Sequence, residues 1–130
     1  MKNMKSVLLV FDDSKELEFI EANLSENGFQ VYKTDNLKSA MNLAKKIVPN
    51  LIVVNTFDSE AKLHLYSEQI KAEARLKNVS LLSLIELENY LKTSFGKEHF
   101  VVRPVRPKLL LSLIRSVMNH EEINWLPSFY

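Results

Sequence analysis

The chain has 130 residues, of which 46% are hydrophobic and 25% are charged, and its formal net charge is +1. This length and this balance fit one globular domain with a buried core. The absence of cysteine excludes disulfides and thiol catalysis, and no run of Lys and Arg suggests nucleic-acid binding. No apolar run approaches the roughly 18 residues that span a bilayer. We therefore expect a cytoplasmic protein that contacts neither membranes nor, through this domain, nucleic acid.

Short apolar runs, rich in branched side chains, alternate along the chain with helical patterns. Such runs are typical of strands that are buried on both faces of a parallel sheet. The predicted strands are Val7–Phe11, Phe29–Tyr32, Leu51–Asn55, Val79–Ile85 and Phe100–Val102.

The first two helices have recognisable ends. Asp13, with Glu16 three residues later, predicts a capped start for the first helix, and Gly28 predicts its end. Asp35 is expected to cap the second helix, whose apolar stripe runs from Leu37 to Val48 at helical spacing.

The later helices are predicted from the same spacing. The third carries Leu63, Tyr66, Ile70 and Ala74 on one face. A short fourth helix around Leu87, Tyr90 and Leu91 is closed by Gly96. Pro107 suits the first turn of a last helix.

Strands that alternate with helices predict an α/β fold, with a parallel sheet of five strands and helices on both faces. We expect one domain over residues 1–119, and a tail or the start of a linker over residues 120–130.

Three stretches of the chain resemble the receiver domain of bacterial two-component response regulators. They are 7–13, which ends in an acidic pair, the strand 49–55, and 95–104, which residues 106–110 continue. The resemblance covers roughly residues 5–119, and it implies a flavodoxin-like sheet with strand order 2-1-3-4-5.

The resemblance also implies a phosphorylation site, which this chain departs from. In the family an aspartate ends the third strand and accepts a phosphoryl group, and the acidic pair holds Mg²⁺. Here Asn55 stands at the acceptor position. Asp12 and Asp13 correspond to the acidic pair, with Asp12 matching the second acid and Phe11 left at the first.

Three further family positions are altered as well. Ile85 replaces the Ser or Thr that ends the fourth strand, and Ser83 matches it only if the register slips by two residues. Arg103 replaces the family's lysine, and Phe100 fills the aromatic switch position.

An amide is a poor nucleophile, so Asn55 closes the aspartyl-phosphate route. We interpret the chain as a degenerate receiver, which is not an enzyme, uses no cofactor and acts by protein–protein interaction. Mg²⁺ binding is not expected, and Asp12 and Asp13 are the only candidate ligands for the cation. We expect an Arg103–Asp12 ion pair in the place of the cation. The alternatives are a phosphorelay receiver that uses Asp58 as acceptor and a flavodoxin-fold binder of a small ligand.

The expected partner is a protein of a signalling pathway, with a second copy of the chain as one candidate. The predicted interaction surface is the face that this family commonly uses for output. It consists of Leu87, Tyr90, Leu91, Phe95, Phe100 and Arg106. The same residues could instead merely cover the sheet.

Overall fold

A computed structural model describes residues 5–11, 15–55, 60–85, 100–102 and 106–118 of the chain. For residues 60–63, 85, 100–102, 116 and 117 the description covers the backbone only. The predicted cap at Asp13, the short helix around Tyr90 and the tail 120–130 lie outside the described residues.

The described elements alternate between strands and helices, as the sequence predicts. The strands are β1 (Ser6–Val10), β2 (Gln30–Thr34), β3 (Leu51–Asn55), β4 (Ser80–Ile85) and β5 (Phe100–Val102). The helices are α1 (Lys15–Glu26), α2 (Leu37–Ile47), α3 (Glu60–Ala72), a 3₁₀ helix (Ala74–Leu76) and α4 (Pro107–Met118). None of these described helices is both long and apolar enough to cross a membrane.

All strand pairings in the sheet are parallel. Strands β2, β1, β3 and β4 lie side by side in that order, and the short strand β5 pairs with β4 at one edge. The register matches Leu8 with Ile52 and Ile52 with Leu81 across the three central strands. The predicted α/β class and the parallel sheet are confirmed.

The core has two layers, one on each face of the sheet. Side chains of β1, β3 and β4 alternate between the two faces, because successive residues of a strand point in opposite directions. One face packs against α1 and α4, through Val7, Leu9, Leu51, Val53, Leu82, Leu84, Leu17, Ile20, Leu24, Leu110, Leu113 and Ile114. The other packs against α2, α3 and the 3₁₀ helix, through Leu8, Val10, Ile52, Val54, Ala40, Met41, Ala44, Ile70 and Leu76.

Helix α1 ends where Gly28 predicts. Gly28 has a positive φ of 87°, which suits a residue without a Cβ. Its N–H donates to the carbonyl of Ser25 over 3.2 Å, and the N–H of Phe29 donates to the carbonyl of Leu24 over 3.1 Å. This pair of bonds is the Schellman motif, and Leu24 and Phe29 both belong to the core.

The prediction that Asp35 caps α2 is wrong by one residue. Asn36 is the cap, and its side-chain oxygen accepts from the N–H of Ser39 over 2.9 Å. Asp35 acts on the cap instead, since its carboxylate accepts from the Asn36 side-chain amide over 2.7 Å.

Two residues that were predicted to lie on apolar helix faces do not. Val48 follows the end of α2 with a left-handed φ of 45°, and its side chain is 44% exposed. The next residue is Pro49, and a proline disfavours helical backbone in the residue before it. Ala74 is exposed in the 3₁₀ helix, because α3 ends at Ala72 and Leu76 takes the buried position.

Candidate site at the carboxyl edge of the sheet

Strands β1, β3 and β4 end together at one edge of the sheet. The ladder pairs Val10 with Val54 and Asn55 with Leu84, so the carboxyl ends of these strands are level. In open α/β sheets this edge is where ligands bind and chemistry occurs. Asn55 and Ile85 are the last residues of β3 and β4, and Phe11 directly follows β1.

Asn55 lies at the border between the core and the surface. The four residues before it in β3 are buried, whereas Asn55 itself is partly exposed. Strand alternation places it on the face that packs against α1 and α4, together with Val53. The last position of the central strand is therefore held by an amide, which carries no charge and is a poor nucleophile.

Phe11 closes the end of β1 with an apolar ring. Its side chain is 3% exposed and belongs to the core cluster beneath α1 and α4. Its N–H donates to the carbonyl of Thr34 over 3.0 Å, which ties the end of β1 to the end of β2. Because Val10 pairs with Val54, continuation of the register places Phe11 beside Asn55. An apolar ring therefore lies where the resemblance implies the first acid of the pair.

Ser83 and Ile85 occupy different places at the end of β4. Ser83 pairs with Val54, is fully buried, and donates its hydroxyl to the carbonyl of Leu84 over 3.3 Å. Alternation places Ser83 on the α2 and α3 face, with Leu81, and so opposite to Asn55. Ile85 is the last residue of β4 and pairs with Val102.

One polar residue at this edge was not singled out by its sequence. Thr34 ends β2, and its hydroxyl oxygen is buried without a hydrogen-bond partner among the described residues. Sequence offers one signal for it, since Thr34 is the polar residue that completes a strand just before the turn to α2.

Much of the predicted site lies outside the described residues. This holds for the acidic pair, for the alternative acceptor, for the residue before Pro104 and for most of the predicted interaction surface. These residues are Asp12, Asp13, Asp58, Leu87, Tyr90, Leu91, Phe95 and Arg103. Of the same predictions, Phe100 begins β5 and pairs with Ser83, and Arg106 is half-buried just before α4.

The described residues supply no carboxylate for a Mg²⁺ site at this edge, and the candidate ligands Asp12 and Asp13 lie outside them. Magnesium requires hard oxygen ligands, above all carboxylates, in near-octahedral geometry. The described ends of β1, β3 and β4 supply Phe11, Asn55 and Ile85, none of which has a carboxylate. Within the part of the chain that the structure describes, no group of three or more His, Cys, Asp or Glu residues could hold a metal ion.

Comparison with curated proteins finds transcriptional regulators. The chain is 26% identical over 124 residues to "Probable transcriptional regulator ycf27" of Porphyra purpurea, a match that covers 94% of this chain and 51% of that protein. It is 23% identical over 118 residues to "Phosphate regulon transcriptional regulatory protein PhoB" of Escherichia coli, covering 88% of this chain and 52% of that protein. The chain thus spans about half the length of the curated relatives it matches. A scan against models of protein families finds no match.

Comparison with solved structures finds receiver domains. One is the signal receiver domain of a histidine kinase from Syntrophus aciditrophicus, with a TM-score of 0.70 and 16% identity over 96% of this chain and 98% of that one. Another is a response regulator from Desulfuromonas acetoxidans, with a TM-score of 0.67 and 19% identity over 89% and 98% of the two chains. A third is the receiver domain of a sensor histidine kinase from Pseudomonas aeruginosa, which holds a magnesium ion in its active-site cleft. Its TM-score is 0.68, with 17% identity over 90% of this chain and 99% of that one. The fold is that of response-regulator receiver domains.

Proposed function

We propose that the chain is a receiver domain of two-component signal transduction that acts through protein–protein interaction without being phosphorylated. It is not an enzyme, and it works in the cytoplasm. The observation that carries the proposal is the place of Asn55, an amide at the end of the central strand of a receiver fold.

The chemistry of phosphoryl transfer supports this proposal. A carboxylate acceptor attacks with an anionic oxygen, and a divalent cation stabilises the charge that develops on the phosphoryl oxygens. Asn55 offers no anionic oxygen, and the neighbouring position is held by the buried ring of Phe11. The chain therefore lacks an acceptor at Asn55, and Phe11 adds nothing to hold the cation.

The same edge argues against a phosphorylation-driven switch. In the family, the Ser or Thr that ends the fourth strand is drawn toward the phosphoryl group, and the aromatic residue of the fifth strand follows. Ile85 ends β4 and has no hydroxyl group. The hydroxyl of Ser83 lies on the opposite face of the sheet from Asn55 and is hydrogen-bonded to the carbonyl of Leu84. A ligand shifts a conformational equilibrium only if it binds the two states differently, and these residues provide no such difference.

The proposed partner is a protein of a signalling pathway. The curated relatives are named as transcriptional regulators, and this chain matches about half of their length. We propose that this half makes no contact with nucleic acid, because the chain has a formal net charge of only +1 and no basic run. The proposed contact surface is the output face of the fold, to which Phe100 and Arg106 belong.

The test is incubation with acetyl phosphate and Mg²⁺, followed by intact mass spectrometry. We expect no added phosphoryl group under conditions that modify the magnesium-binding receiver domain from Pseudomonas aeruginosa, which is the positive control. A phosphoryl adduct on this chain would contradict the proposal. If Asp58→Asn then removed the adduct, Asp58 would be the acceptor and the chain a phosphorelay receiver.

A further inference from the structure

Two of the exposed apolar side chains lie in charged surroundings of opposite sign. In the part of the chain that the structure describes, the large apolar residues that are exposed are Phe19 at 42%, Val48 at 44% and Leu65 at 47%. Phe19 lies on the acidic helix α1, whereas Val48 follows the basic last turn of α2.

We define the Phe19 face as the exposed residues of α1 that surround Phe19. It consists of Lys15, Glu18, Phe19, Ala22 and Glu26, so its two glutamates outnumber its one lysine. Helix α1 carries four glutamates and one lysine, and its last turn has no basic residue. Glu26 lies at the negative end of the helix dipole, where an acid is unfavourable. Helix stability therefore does not explain why this face is acidic to its end.

We define the Val48 patch as Val48 together with the basic residues of the last turn of α2 and those of the 3₁₀ helix and its C-terminal cap. It consists of Lys45, Lys46, Val48, Arg75 and Lys77, because the 3₁₀ helix that carries Arg75 packs against α2. Lys45 forms a long ion pair of 3.8 Å with Glu73. The remaining charges leave the patch positive.

Val48 is also an unfavourable residue for its own position. A β-branched residue with a left-handed φ is rare, because its Cβ crowds the backbone, and Gly or Asn adopts this conformation more easily. The side chain is nearly half exposed, so little burial compensates for the strain. Backbone strain of this kind is often kept at functional sites, and an exposed apolar residue gains stability if an assembly covers it.

We infer that the chain self-associates head to tail, with the Val48 patch of one copy docked on the Phe19 face of the next. The two surfaces complement each other in charge, and each offers one large apolar side chain to the other. They lie on opposite faces of the sheet, so the contact is heterologous and adds copies in one direction as chains or closed rings. Neither surface includes Phe11, Asn55 or Ile85, so the inference stands whether or not the proposed function does.

The first measurement is the average mass of the chain by sedimentation velocity, at increasing protein concentration. Raising the salt from about 0.1 M to about 1 M shortens the Debye length from about 10 Å to about 3 Å. We expect the mass to rise with concentration at low salt and to return to that of the monomer at high salt. A chain that stays monomeric at low salt over the whole range would overturn the inference and leave these surfaces to another partner.

The second measurement uses one variant for each surface. Phe19→Ser removes the apolar centre of one face, and Val48→Asn removes that of the other while relieving the backbone strain. Each variant alone is expected to associate about tenfold more weakly than the native chain. An equal mixture of the two variants retains one intact contact, because the Val48 patch of Phe19→Ser can dock on the Phe19 face of Val48→Asn. This mixture is expected to stop at dimers. A mixture that forms no dimers would contradict the inference.

Leu65→Ser is the matched control, because Leu65 is equally exposed on α3 and belongs to neither surface. It should self-associate like the native chain, whereas loss of association in this variant would place the contact elsewhere. Circular dichroism on all variants separates loss of contact from loss of fold. Val48→Asn is expected to fold more stably while associating less, a combination that a purely structural role for Val48 does not produce.

Discussion

Phe11 brings the hydrophobic core to the carboxyl edge of the sheet. An aromatic side chain buries a large apolar area, and at 3% exposure almost all of this ring is removed from water. A carboxylate at the same place would have to lose its hydration, which is costly without a cation or a cationic partner. Phe11 therefore contributes folding stability at a position where the resemblance implies an acidic ligand of the cation.

The stability of Phe11 variants tests this role. Phe11→Ala should lower the free energy of unfolding by about 3–5 kcal/mol, because it removes a buried ring and leaves a cavity. Phe19→Ala, the same change at an exposed position of α1, should cost no more than about 1 kcal/mol. Urea unfolding at low protein concentration measures both values. Equal costs for the two variants would show that Phe11 is not part of the core.

Val48 provides a second test of a single residue. Val48→Gly should raise the free energy of unfolding by roughly 1 kcal/mol, because the left-handed backbone costs about 1–2 kcal/mol with a Cβ and glycine loses somewhat more entropy on folding. Val48→Ala keeps the Cβ and is the control, with little expected gain. Chemical denaturation of the three proteins gives the comparison. A gain for alanine as large as that for glycine would contradict strain as the cause.

The start of α2 illustrates what decides the end of an element. The side chains of Asp35 and Asn36 both suit a helix cap, and the structure uses Asn36, with Asp35 holding its amide in place. The exposed neighbour thus supports the cap from outside the helix. Stability of the helix start should therefore depend on the two residues unequally.

Alanine substitutions separate the two roles. Asn36→Ala should lower the free energy of unfolding by about 1 kcal/mol, since it removes the oxygen that accepts from the first turn of α2. Asp35→Ala should cost only a few tenths, because water can replace its contact with the exposed Asn36 amide. Thermal unfolding of the two variants side by side measures the difference. A larger loss for Asp35→Ala would restore Asp35 as the cap.

At the scale of elements, the strands were predictable and the helix ends were less so. Runs of consecutive apolar residues such as Leu51–Val54 are typical of strands that are buried on both faces of a parallel sheet, so their positions can be predicted from the sequence. Helical spacing cannot tell that Val48 lies beyond the end of α2, because the residue fits the same period as Ala44. Nor can it choose between adjacent residues that both cap well. These ends depend on contacts with the next element, which local sequence does not contain.

At the scale of the whole molecule, the described residues form two packed core layers, one on each face of the sheet. The motifs at residues 7–13, 49–55 and 95–104 were enough to predict the fold, because their order and spacing resemble those of receiver domains, and that resemblance implies which strands lie side by side. They did not predict on which face each edge residue lies. Ser83 illustrates this, since only the register of β4 against β3 shows that it lies opposite to Asn55. The replaced acceptor at Asn55, by contrast, was visible in the sequence itself.

The most direct test of a receiver that does not switch is the amide NMR spectrum of the whole chain with beryllofluoride, which mimics a phosphoryl group. With Mg²⁺ present, beryllofluoride should leave the spectrum as it is with Mg²⁺ alone, because Asn55 provides no carboxylate to bind it and Ile85 no hydroxyl to move. The receiver domain from Pseudomonas aeruginosa, treated identically, is the positive control. Amide shifts that spread from Asn55 across β4 to Phe100 in β5 would show a working switch and contradict the account.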